Sequence, residues 1–295
     1  MAAAIKAHDT PALFKWLVST LSFQGISDGV AEGFIKQHGQ VDWNDVERSL
    51  DPDSKCPLLK SYWHFDRCGY RKDANTCSQP HLMQACGLPA FPLRNGRLNQ
   101  TAFSLYLFIR DVADGDLIGW LETIMVDSGP GPAAQADALL DAFRGVFGVA
   151  DKTASMVLSS ILLGTARQNS IAFEVGSAFV VVDTLVHNFL HRTGVLGALA
   201  FDHPYGAGCY SARGCAQAIR LAAAHIDARV VDASLPRHFP RMVQHSLWRF
   251  CAEREFDICN GNRVKDGQPC ANRFCCFSLV CKRIALPRSA KKLIK

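Results

Sequence analysis

The sequence lacks the N-terminal order of basic, apolar and small residues that marks a secretory signal peptide. It also lacks an apolar run long enough to span a bilayer, which argues against a helical membrane protein and leaves a cytoplasmic protein with no membrane partner as the expectation. Charge of one sign is not in large excess either. With 32 Lys and Arg against 27 Asp and Glu, the formal charge is +5, which permits a nucleic-acid partner without requiring one. With 48% hydrophobic and 20% charged residues, the 295-residue chain has the composition of a globular protein with a sizeable core, in one large or two modest domains.

Cysteine, by contrast, is abundant. Four of the 12 cysteines lie between Cys56 and Cys86 and six between Cys251 and Cys281, with Cys209 and Cys215 elsewhere. In a reducing compartment, clustered thiols point to metal before disulfides. Cys56, Cys68, Cys77 and His81 make a set of three thiolates and one imidazole suited to a structural zinc, with Cys86 able to replace one of them. Small buried cysteines with no chemical role are the competing reading of that segment. Near the C-terminus, Cys259, Cys270, Cys275 and Cys281 form a second set, in which Cys276 could stand in for Cys275. Four thiolates in a short loop suit either a four-iron cluster or zinc.

Between these clusters the pattern is helical. Thr10 reads as an N-cap followed by Pro11 at the first helical position, Gly25 closes that helix, and Ser27 or Asp28 opens the next through Gln37. A strong helix is expected from about Asn99 to Val112, then two more in DLIGWLETIM and ADALLDAFRGV. Gly148, Val149 and Ala150 form a short turn before another helical run, Lys152 to Leu163. Such a turn aims several backbone N–H groups in one direction, a nest for a phosphate. Lys152, in the first turn of the second helix, is a candidate nucleophile. Asp183 follows a β-rich run, FVVV, and occupies an N-cap position before a helix stopped by Gly194. The glycine-rich loop beyond it carries His203 and Tyr205, candidates for a nearby cleft, and helices at about 215–228 and 241–253 follow. The basic residues Lys282, Arg283, Arg288, Lys291, Lys292 and Lys295 end the chain, able to lie along phosphates or simply to aid solubility.

The string GVADKTA, followed by VDT and by a helix ending in RTG, resembles the helix-hairpin-helix and Gly/Pro/Asp signature of the endonuclease III superfamily of DNA glycosylases. The resemblance implies an all-α, two-lobed fold. Residues 98–182 would form a helical barrel carrying the hairpin. Residues 1–97, the N-terminal helices and Cys/His-rich segment, would pack with residues 183–295, the C-terminal helices, cysteine loop and basic tail. It implies that Lys152 attacks the sugar while Asp183 assists, that Gly148, Val149, Ala150 and Thr153 hold a DNA phosphate, and that Asn99 and Gln100 read a base edge or plug the gap left by a flipped base. It favours a 4Fe-4S cluster at Cys259, Cys270, Cys275 and Cys281, whose loop would turn Arg263, Lys265 and Arg273 toward the DNA backbone. The implied activity is that of a monomer excising a damaged or modified base from double-stranded DNA, with β-elimination (AP lyase) chemistry through Lys152. A monofunctional enzyme using Asp183 and water, and a catalytically inactive DNA-binding sensor, are the alternatives. Two departures from the family pattern stand out. Ala150 replaces the hairpin's second glycine, and the Lys152–Asp183 interval is lengthened around Ala166 to Ala178, adding a loop that bears on substrate choice.

Overall fold

The computed structural model describes every residue except 23–27, 51–55, 92, 94–95, 165–169 and 287–295. Among the described residues the regular elements are helices, with one isolated bridge between Arg71 and Thr76. None of these helices is long and apolar enough to cross a membrane. The chain divides into two compact units, Met1–Gly176 and Ser177–Lys295.

The first unit is built around one buried helix. Its helices are α1 (Ala2–Lys6), α2 (Thr10–Ser22), α3 (Asp28–His38), α4 (Trp43–Ser49), α5 (Tyr62–Phe65), α6 (Gly96–Asp111), α7 (Leu117–Asp127), α8 (Pro132–Phe143), α9 (Asp151–Leu163) and α10 (Ile171–Ala178), the last running past the division. From Leu98 to Ile109 every residue of α6 is buried, as expected of a helix surrounded on all sides. Phe108 alone meets Tyr62, Trp120 and Phe143 edge-on, at centroid distances of 5.4, 4.9 and 5.4 Å. The N-terminal helices pack inside this unit, α2 against α4, α6 and α9. The division of the chain falls after Gly176. At the start of α2 the capping acceptor is Asp9, which receives the Ala12 N–H at 3.1 Å. Thr10 instead turns its buried hydroxyl to accept from Leu117 N–H at 3.4 Å. The cap lies one residue earlier than the Thr-Pro pair suggests.

The second unit contains α11 (Thr184–Thr193), α12 (Val195–Ala198), α13 (Cys215–Ala223) and α14 (Pro240–Cys251). Val186, Phe189 and Leu190 of α11 pack with Ala216 and Ile219 of α13 and Cys251 of α14 in one core. Gly194 ends α11 at φ +84°, the left-handed conformation a C-cap glycine supplies. The chain beyond Cys281 returns to cover that end, Lys282 N–H donating to Thr193 O at 3.1 Å and Ile284 N–H to Arg192 O at 2.9 Å. The FVVV run is not a strand: it enters the unit as a buried irregular segment, where Val182 N–H donates to the Tyr210 hydroxyl at 2.9 Å in place of a ladder.

Candidate functional site

In the first unit the turn between α8 and α9 is fastened to α6. Phe147 N–H donates to Ser104 Oγ at 2.8 Å. Gly148 sits at φ +78°, and a Cβ there would collide with Thr101 Oγ1, so conformation and space both demand glycine. Ala150 has φ −98° and ψ 164°. That is extended backbone open to any residue, so this position does not require glycine. Ala150 offers no side-chain cap to α9. Among the described residues, the N–H groups of Gly148, Ala150, Asp151 and Lys152 have no acceptor within the protein. Val149 and Thr153 are buried and serve the core, Thr153 N–H donating to Ala150 O at 2.9 Å. Lys152 is exposed. Its neighbour Asp151 is held by Arg144 Nε at 2.6 Å, so that carboxylate does not tie up the Lys152 amine.

Asp183 lies in the second unit at the N-cap of α11, where its Oδ1 accepts the Val186 N–H at 2.9 Å. It is half-buried. Tyr205 stands close by. Burial, and then the charge of Asp183, push its phenol up from the ordinary range, and its ring centroid is 5.8 Å from that of His187.

His187, one turn along α11 from Asp183, opens a group that the sequence reading did not assemble. His187, His203, Cys209 and Cys215 bring their ligand atoms within 4.8 Å of one another, and His187, Cys209 and Cys215 are buried. His187 Nδ1 is 3.3 Å from Cys215 Sγ and 3.7 Å from Cys209 Sγ, and His203 Nε2 is 3.5 Å from Cys215 Sγ. The group could bind a metal such as zinc. The hydrogen bond from Cys215, reinforced by His187, holds the Cys209 thiol well below the usual thiol range, while the same bond and burial push Cys215 up. The one available signal was the pair Cys209 and Cys215 standing apart from both cysteine clusters, in a loop with His203.

At the other end of α11 is a pocket partly open to solvent. Cys259, Cys270, Cys275 and Cys281 all line it, whereas Cys276 is exposed and does not. Arg192 lines it too, with its side chain 2% exposed. One guanidinium nitrogen, Nη2, pairs with Asp266, but Nε and Nη1 are buried without a partner among the described residues. Hydrogen bonding from Cys251, helped by the Arg192 charge, lowers the Cys259 thiol to about 7. Arg263, Lys265 and Arg273 of the same loop are exposed, Arg263 being paired with Asp257 at 2.6 Å.

The N-terminal cysteines form a looser assembly. Burial, with neighbouring thiols Cys56, Cys68 and Cys77 adding, pushes Cys86 up to about 11, and Cys68 is raised by burial with Cys56 and Cys77 nearby. Cys86 thus joins Cys56, Cys68 and Cys77. Among the described residues these thiols and His81 do not reach single-ion spacing. Asn99 and Gln100 hold this segment to α6. Asn99 is fully buried and donates to Leu88 O at 2.8 Å, and Gln100 donates to Cys68 O at 3.0 Å. Of the lengthened interval, residues 166–169 lie outside the described residues, as do Arg288, Lys291, Lys292 and Lys295 of the basic tail.

No protein-family model, curated protein or solved structure matches the chain.

Proposed function

We propose that the protein is a DNA glycosylase with associated AP lyase activity, acting on an altered base in double-stranded DNA. The observation that carries this reading is the start of α9: an exposed lysine directly behind a glycine turn whose amides have no protein acceptor.

In this reading the Gly148, Ala150, Asp151 and Lys152 amides hold a backbone phosphate, with the dipole of the 13-residue helix α9 behind them. The target nucleotide rotates out of the stack at a cost of roughly a few kcal/mol, least for a damaged or mispaired base. The Asp183 carboxylate stabilises the positive charge that develops on the sugar as the N-glycosidic bond breaks. Its Oδ1 is held by the Val186 N–H, so that its position is set by α11. The Lys152 amine adds to C1′, losing a proton, and the base leaves with its bonding electrons and takes up a proton. The C1′–O4′ bond then opens, O4′ taking up a proton, to leave an iminium between Lys152 and C1′; loss of the C2′ proton breaks the C3′–O bond by β-elimination, and the 3′ phosphate departs.

The second unit's cysteine pocket offers the four thiols that a 4Fe-4S cluster would need. Four thiols line one cavity without single-ion spacing among them, which favours a multi-iron group over one zinc. Two unpaired N–H groups of a buried arginine there suit an anionic occupant. Bound at Cys259, Cys270, Cys275 and Cys281, the cluster would supply a rigid staple for its loop rather than redox chemistry. Lys265 and Arg273 of that loop, both exposed, could then meet phosphates.

Duplexes each carrying one altered base, scored for base release and strand cleavage, test the proposal. Lys152→Gln should abolish strand cleavage. Base release that survives in Lys152→Gln but not in Asp183→Asn would identify a monofunctional enzyme using water. Salt-dependent DNA binding with no base release on any substrate would identify a non-catalytic binder.

A further inference from the structure

The loop between Leu199 and Gly214 is rich in glycine, with Tyr205 and Leu199 exposed, yet it folds tightly back on itself. A Cβ on Gly214 would collide with the carbonyl oxygens of Gly208 and Cys209, so the two cysteine-bearing segments touch backbone to backbone. Gly206 takes φ +145°, closed to other residues, to make the reversal. Cys209, Phe201 and Tyr210 tie the loop to the core of the unit, and His203, Cys209 and Cys215 converge on His187. We propose that His187 Nδ1, His203 Nε2, Cys209 Sγ and Cys215 Sγ form a closed zinc site that fastens this loop to α11 and thereby holds Tyr205 beside Asp183.

The distances match the ion. Zinc–sulfur bonds of about 2.3 Å and zinc–nitrogen bonds of about 2.0–2.1 Å in a tetrahedron set sulfur and nitrogen about 3.6 Å apart. Three of the four sulfur–nitrogen distances are 3.3, 3.5 and 3.7 Å. The histidine chemistry matches as well. His203 Nδ1 lies 2.6 Å from Phe201 O, so that Nδ1–H donates to the carbonyl and Nε2 is free to ligate, the orientation outer partners impose on metal-bound imidazoles. Two thiolates and two imidazoles select zinc over calcium or magnesium, which take oxygen. The four ligands come from α11, the loop, the 3-10 turn Ala207–Tyr210 and the first residue of α13, so one ion joins four segments. With four protein ligands, no position remains for water, and the site is structural rather than hydrolytic. His187 follows Asp183 by one turn, its N–H donating to Asp183 O at 3.0 Å. The ion would therefore anchor the helix start that presents the carboxylate.

This inference stands apart from the glycosylase reading, because metal content and coordination are measured without DNA. The full chain is expressed with zinc, and zinc per chain and zinc-edge X-ray absorption are compared for wild type, Cys209→Ser and His203→Cys. Wild type should show imidazole and thiolate in the zinc shell. Cys209→Ser should lose one equivalent, and His203→Cys should keep it while exchanging a nitrogen for a sulfur. Unchanged zinc in Cys209→Ser overturns the proposal. So does an unchanged shell in His203→Cys, or wild-type zinc without imidazole. Should Cys209→Ser not fold, the wild-type and His203→Cys spectra decide the matter alone.

Discussion

The two ends of α11 carry two thiol sites that differ in what they can hold. Near its N-terminus, His187, His203, Cys209 and Cys215 crowd within 4.8 Å, a spacing for one ion. Near its C-terminus, Cys259, Cys270, Cys275 and Cys281 are spread around a cavity, with the unpaired nitrogens of Arg192 beside them. Ligand type alone would not have separated the two. Spacing does, because a mononuclear ion needs its donors at touching distance.

The largest expected effect is at the wide site. Cys270→Ser should remove essentially all iron and its visible absorbance from anaerobically purified protein while leaving zinc per chain unchanged. Loss of zinc in step with iron would collapse the two sites into one. A smaller effect is expected at Arg192. Arg192→Met removes the unpaired donors and frees Asp266, whose side chain is 63% exposed and needs little from its partner. Iron retention should fall severalfold in a dilution series, and an unchanged value would reduce Arg192 to a buried ion pair.

At the other end of the helix, Asp183→Ala removes the N-cap and should cost about 1 kcal/mol in denaturant unfolding, while Asp183→Asn keeps the cap and most of that stability. Both should lose base release, which separates the carboxylate's chemistry from its structural duty. The smallest effect is expected at Cys276, exposed and outside the pocket. Cys276→Ser should leave iron, zinc and stability unchanged, the last within about 0.5 kcal/mol.

What could be read in the sequence was what local chemistry decides. The glycine stop of α11, the N-cap role of Asp183 and the short turn before α9 follow from backbone preferences of single residues, and the structure has them. The β-rich FVVV run forms no strand, because β-propensity reflects a half-buried apolar surface. Here burial comes from helices, and Tyr210 satisfies the Val182 amide in place of a neighbouring strand. The His187/His203/Cys209/Cys215 group escaped notice because its members span 187–215 without a compact ligand motif, and the folding of one glycine-rich loop brings them together. Asn99 and Gln100 look free in the sequence. Their bonds to the carbonyls of Leu88 and Cys68 depend on how the segment before α6 folds back, which no local pattern announces.

Borohydride trapping on a duplex with a released or altered base tests the central claim most directly. The account predicts a covalent adduct between wild-type protein and DNA that maps to Lys152 by mass spectrometry and is absent in Lys152→Gln. An adduct of equal yield in Lys152→Gln, or none with wild type on any substrate it cleaves, would contradict it.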